Sequence, residues 1–275
     1  MRIIGWQGEV MSSSRHHPYH WTALDGTMPM TYCVGIDVDE GLVFAADTRT
    51  NASVDDVRVH RKLHVFEYPG EAVFVLMASG NLATTQLLVS RLQRDVEEQR
   101  TPNLRSLRHL FEVAEYVGAL LVDSQVKCRD VEHGHDGVNT QATLILGGQI
   151  AGERPGLYMI YPLGNAISAS PETPYLQIGE SKYGKPILDR IIRPRTRLDD
   201  AARTAVVSLD STIRSNLSVG LPLDLALVRR DELRIGGQLR LSGDSLLYAD
   251  IHRNWAHRLE QAVAALPRFP WEQQA

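Results

Sequence analysis

Only two cysteines, Cys33 and Cys128, occur in the 275 residues, and they form no CxxC pair. That scarcity excludes a disulfide framework and favours a reducing, cytoplasmic setting. Basic runs are missing too. With a formal net charge of -4 and a pI near 6.2, the chain offers no phosphate-binding surface, so no nucleic-acid partner is expected. No apolar stretch approaches the roughly 18–20 residues that cross a bilayer. The opening Met1-Arg2-Ile3-Ile4-Gly5-Trp6 is too short and soon too polar for a signal-peptide core, so neither membrane nor export is implied. A glycine-rich phosphate loop is also absent, which excludes a built-in ATPase. What is present is ordinary: 43% hydrophobic and 23% charged residues, enough to bury a substantial core.

Residues 1–30 differ from the rest. They hold Ser12-Ser13-Ser14, His16, His17, His20, Pro18 and Pro29, with no period of 2 or 3.6, and read as a poorly ordered extension. Two origins fit: a pro-segment, or an upstream start codon with Met30 as the biological start. The second is favoured. A histidine-bearing tail without a cysteine or carboxylate partner reads as solvated, not as a metal site.

From Thr31 the pattern becomes regular. Tyr32, Val34, Ile36 and Val38 alternate with Cys33, Gly35, Asp37 and Asp39, the period of a half-buried strand. A hairpin turn at Asp39-Glu40-Gly41 leads to a buried strand, Leu42–Ala46. Leu63–Tyr68 and Ala72–Ala78 pair around Pro69-Gly70, so the first unit reads as a meander of about four strands. Two amphipathic helices follow. One is striped by Leu88, Val89, Leu92 and Val96; the other runs from about Leu104 to Leu121, with Thr101-Pro102-Asn103 as break and N-cap. Strands resume at Ala142–Gly147, Leu157–Tyr161 and Tyr175–Ile178. A helix begins near Pro186, and a longer one follows Asp199-Asp200. Leu223–Val228 forms a hairpin with Leu233–Ile235, and a last helix carries Leu246, Ile251, Trp255, Leu259 and Val263. Strands, two helices, strands, two helices, strands: this order predicts an α+β, four-layer αββα sandwich. Residues 31–275 read as a single domain with no internal repeat.

The segments Met30–Gly35, Ala46-Asp47-Thr48-Arg49-Thr50-Asn51, Arg61-Lys62, Ser79-Gly80-Asn81-Leu82, Ile178–Pro186 and Ser215-Asn216-Leu217-Ser218-Val219-Gly220 resemble, in order and spacing, the proteasome β-subunit superfamily of N-terminal-nucleophile hydrolases. The likeness is greatest to its bacterial Anbu branch. The resemblance implies that Thr31 is the nucleophile, that Asp47 and Lys62 are its charged partners, and that Gly80 supplies the oxyanion donor. The chemistry agrees with that assignment. A threonine freed at its nitrogen carries hydroxyl and base on one residue, and its amine, with an ordinary pKa near 8, takes the hydroxyl proton at neutral pH. A lysine nearby would lower the amine's pKa, and an aspartate would hold the lysine.

The auxiliary positions depart from the family. Gly179-Glu180-Ser181 stands where many β subunits read Gly-Ser-Gly, so either Ser181 or Glu180 fills the auxiliary role. Ser215 and Ser218, with Asn216 beside them, occupy the spacing where many subunits have aspartate and serine. Cys33, two residues after Thr31, either narrows a substrate pocket or fills core space, the second being favoured. His133-Gly134-His135-Asp136 has half the groups of a metal site in a glycine-rich loop, and no metal or other cofactor is expected. The expected function is a threonine-type peptidase acting on peptides or unfolded proteins within a homo-oligomeric ring or open spiral. The alternatives are a non-catalytic ring or scaffold subunit and a small-molecule amidase.

Overall fold

The computed structural model describes residues 31–53, 56–131 and 139–273. Two five-stranded antiparallel sheets form its centre. The first contains β1 (Tyr32–Val38), β2 (Gly41–Asp47), β10 (Tyr175–Gly179), β11 (Leu223–Arg229) and β12 (Ile235–Leu241), in the order β10-β1-β2-β11-β12. The second runs β5-β6-β7-β8-β9, from Leu63–Tyr68, Ala72–Gly80, Ala142–Ile150, Gly156–Ile160 and Ala166–Ser168. A separate ribbon pairs β3 (Arg49–Ser53) with β4 (Asp56–Val59). Helices α1 (Leu82–Glu97) and α2 (Leu110–Val131) belong to one outer layer, and α3 (Lys185–Ile191), α4 (Leu198–Ser215) and α5 (Leu246–Ala264) to the other.

Strand alternation divides the interior into three cores, which is why there are four layers. Along β1 and β2, Tyr32, Val34, Ile36, Val43 and Ala45 face Leu188, Ala201, Ala205 and Leu209 of α3 and α4. Their neighbours Cys33, Leu42, Phe44 and Ala46 turn the other way and meet Val73, Val75, Met77 and Ile145 of the second sheet. Phe74, Leu76, Leu144 and Leu146 point outward again, onto Leu88, Leu92, Val113, Val117 and Leu121 of α1 and α2. Both faces of the central strands are thus buried, and each large apolar side chain there contributes about 1.5–3 kcal/mol. The αββα expectation holds.

Several local expectations need correction. The first strands are not one meander: β1 and β2 lie in one sheet, β5 and β6 in the other, with the ribbon between. Arg49–Ser53 carries no apolar alternation, and Val57 and Val59 alternate over only four residues, too short a signal to predict that ribbon. Helix α2 begins at Leu110, not near Leu104. The Asn103 side chain does accept from Arg105 and Ser106 N–H (2.8 and 3.0 Å), but it caps an isolated turn. The real start is marked by Glu112, whose carboxylate accepts from Arg108 and His109 N–H at 3.2 and 3.1 Å. Leu104 is buried all the same, and that burial mimics a helical stripe. The last hairpin partner is Ile235–Leu241 because Leu233 sits at φ 49, off the extended region. Among the described residues no helix is long and apolar enough to cross a membrane.

Candidate active site

Thr31 immediately precedes β1 and is 3% exposed. Its carbonyl accepts the Glu180 N–H at 2.7 Å, which ties the start of β1 to the end of β10. The approach requires Gly179: at φ 82, a Cβ there would stand 1.7 Å from the Thr31 oxygen.

Asp47, the last residue of β2, is fully buried. One carboxylate oxygen accepts from Tyr32 N–H (3.1 Å) and from the Lys62 ammonium (2.7 Å); the other accepts from Arg49 N–H (3.2 Å) and Gly220 N–H (3.3 Å). Lys62, just before β5, is only 7% exposed and also donates to the Arg49 carbonyl. Burial pushes the Asp47 carboxyl up from its usual range, against the pull of Lys62 and the backbone donors. Four hydrogen bonds on one carboxylate and a paired ammonium make a rigid, dry charge pair next to Thr31.

Gly80 ends β6 opposite Ala142. Asn81 N–H bonds the Gln141 carbonyl (2.9 Å), so antiparallel alternation turns the Gly80 N–H away from β7. On that side, Ala78 N–H already bonds the Lys62 carbonyl (3.2 Å), and one step further the ladder has ended. The Gly80 N–H therefore opens onto the small cavity, about 30 Å³, that Thr31 and Lys62 also line. At φ 120, with a Cβ only 2.4 Å from the Gln141 oxygen, no other residue fits Gly80. Gly80 also borders a larger cleft of about 340 Å³ between the sheets, walled by Thr143, Met159, Gln177 and Glu180.

The auxiliary residues divide. The Asn216 amide donates to the Glu180 carboxylate (3.1 Å), and the Asn216 oxygen accepts from the Ser218 hydroxyl and N–H at 2.6 and 3.0 Å. Glu180, Asn216 and Ser218 thus form one half-buried chain that ends at Thr31. Ser181 uses its carbonyl at the start of α3, where it accepts Lys185 N–H at 3.0 Å, and Ser215 is exposed at the last position of α4, outside the set. Cys33 lies in the core between the sheets, fully buried, and burial raises its thiol far above its ordinary range. It packs; it does not line the cavity. The His133–Asp136 stretch lies outside the described residues.

Beyond the site residues expected from sequence, His60, Arg61, His64 and Thr85 border the same cavity as Thr31. Burial, with His60 and Arg61 nearby, lowers His64 to about 4, so it is neutral at pH 7. For the two histidines the signal lies in the alternation of His60, Lys62 and His64, of which only Lys62 was expected at the site.

The profile of the proteasome-subunit family matches residues 30–228. The chain belongs to that family. It is similar to solved structures from the family's Anbu branch: Anbu from Yersinia bercovieri (44% identity, 87% of this chain and 99% of that one, TM-score 0.81), Anbu from Hyphomicrobium sp. strain MC1 (42%, 87% and 99%, 0.78), and the helical assembly of the Anbu complex from Pseudomonas aeruginosa (42%, 87% and 98%, 0.82). None of the curated proteins matches it. As a proteasome-type subunit, the chain carries its candidate groups on the ends of β2 and β6, the start of β1 and the lead into β5.

Proposed function

We propose that this protein is a threonine-type peptidase whose nucleophile is Thr31, exposed by removal of residues 1–30 from a hydrolase unit spanning 31–275. The observation that carries the reading is the cavity shared by Thr31, Lys62 and Gly80, with the buried Asp47–Lys62 pair fixed behind it. In the proposed reaction the Thr31 α-amine takes the hydroxyl proton, and the oxygen attacks the scissile carbonyl. Lys62 keeps that amine unprotonated through its own positive charge. The Gly80 N–H receives the oxyanion; on collapse the C–N bond breaks, the Thr31 α-ammonium returns its proton to the departing amine, and an ester is left on Thr31, which water hydrolyses with the freed α-amine as base. Glu180, Asn216 and Ser218 orient the Thr31 backbone. Substrates are peptides or unfolded chains, and the protein works in the cytoplasm as a homo-oligomer, as the helical assembly of the Pseudomonas aeruginosa relative suggests.

Intact-mass analysis of the protein made from its native locus, combined with turnover of a peptide panel, tests this. A chain beginning at Thr31 with measurable cleavage is expected. A stable chain retaining residues 1–30 would refute it, because an amide nitrogen is no base; that outcome defines a scaffold subunit. Cleavage confined to small non-peptide amides would replace peptidase with amidase.

A further inference from the structure

Helix α5 is unlike the other long helices of the fold: among its 19 residues none is buried. Its first half is held down. Tyr248 and Ile251 pack on the α4 core, and Asp210 of α4 accepts hydrogen bonds from the Tyr248 hydroxyl (2.7 Å) and His252 Nδ1 (2.8 Å). From His257 to Glu272, every residue is exposed. Leu259 and Val263, four residues apart on one face of α5, and Leu266, two residues past its end, are 46%, 68% and 63% exposed. Beyond them Phe269 and Trp271 stack on each other with ring centroids 4.5 Å apart, still 56% and 68% exposed. A run of exposed apolar side chains ending in a preformed aromatic pair is the composition of an interface, not of a solvated tail.

The first half of α5 also forms one wall of a groove of about 660 Å³, whose other wall is α4 and the segment leading into it. Its floor is apolar, made by Ile191, Val207, Ile251 and Trp255. Its rim carries Arg195, Arg197, Arg203 and Arg258, against one acid, Asp200, which already pairs with Arg203. The exposed segment Leu259–Glu272 has the opposite balance, with Glu260 and Glu272 against Arg268. Apolar run and apolar floor, acidic arm and basic rim are complementary. Yet α5 runs unbroken to Ala264, so Val263 lies about 12 Å further along the axis than Trp255 and cannot turn back into its own groove.

We propose that residues 259–272 are a docking arm, and that the arm of one copy occupies the α4–α5 groove of another copy. The contact joins two different patches, so it is heterologous. Repeated, it generates an open helix or a closed ring. The inference rests on the self-assembly reading above and adds the surface that carries it.

The test uses the full-length chain in sedimentation velocity, with an arm variant (Leu266→Glu with Trp271→Ala) and a groove variant (Ile191→Glu with Arg197→Glu), each checked for folding by circular dichroism. The parent should assemble, and each variant alone should lose assembly by at least about tenfold in concentration. The mixture should form a one-to-one dimer and stop, because it contains one intact arm and one intact groove. Variants that assemble like the parent, or a mixture that stays monomeric, would overturn the docking while leaving self-assembly standing. A parent that is monomeric at every concentration would overturn both. Should a variant misfold, the combination of Ile191→Cys and Trp271→Cys gives a second measurement. Oxidation is expected to produce a covalent ladder of copies that neither single substitution yields, and absence of that ladder counts against the contact.

Discussion

Two hydrogen-bonded sets flank Thr31: Asp47 and Lys62, which hold the N–H of the next residue, Tyr32, and Glu180, Asn216 and Ser218, which reach the Thr31 carbonyl. In the first, a carboxylate with no solvent exposure takes three backbone N–H groups and an ammonium at 2.7 Å, all supplied by or next to sheet strands. In the second, half-buried side chains on two loops pass one hydrogen bond to the next, and the link to Thr31 is a backbone N–H of Glu180 at 2.7 Å. The first is over-determined and has no water to replace a lost partner. The second is only half-buried, so solvent can replace a lost partner. Electrostatics in the first act at low dielectric and persist in salt, whereas those in the second are screened. Only the loop set tolerates a change of chemistry without a buried penalty.

Perturbing each set in turn tests that contrast. Thr31→Ala should reduce peptide turnover on the order of 10³-fold or more while sedimentation and thermal melting stay unchanged; residual cleavage near the parent rate would remove Thr31 from the mechanism. Next in size is Lys62→Met. It leaves Asp47 buried and uncompensated and should cost about 3–5 kcal/mol in denaturant unfolding, with turnover lost as well. A loss below about 1 kcal/mol would place this pair with the loop set and erase the contrast.

A pH titration of stability comes third. His64 falls from its ordinary 6.5 to about 4 in the folded protein, so between those values the unfolded chain binds more protons. Its contribution is therefore complete above pH 6.5 and is lost as pH falls toward 4, by up to about 3 kcal/mol. His64→Gln should flatten that slope; an unchanged slope would mean that other groups carry it. Smallest is Glu180→Gln, which preserves shape and one acceptor. Unfolding free energy should change by less than about 1 kcal/mol and turnover by less than about tenfold. A loss as large as that of Lys62→Met would show the loop set to be as rigid as the buried pair.

Much of this was legible in the residues. The alternation of Tyr32 to Val38 gave β1, the 3.6 repeat gave the body of α2, and Thr31, Asp47, Lys62 and Gly80 stood at family spacing. Less legible was anything whose signal is shared with another state. Leu104 is buried like a helical core residue while lying on a turn, Leu233 reads as strand while its backbone is left-handed, and in the β3–β4 segment only Val57 and Val59 alternate, too short a run to announce a ribbon. At the site, Ser181 and Ser215 looked equivalent to Glu180 and Ser218 in sequence, since spacing says nothing about which side chains turn toward one another.

By itself, then, the order of residues determined the layers and the charged groups, because both follow from periodicity and from residue type at fixed spacing. Tertiary structure alone decided that Gly80 presents its N–H to the cavity of Thr31, that His60 and His64 border it, and that the far half of α5 stands uncovered beside an arginine-rimmed groove. Each of those depends on where a ladder ends or on what packs from a distant part of the chain, and no local pattern encodes either.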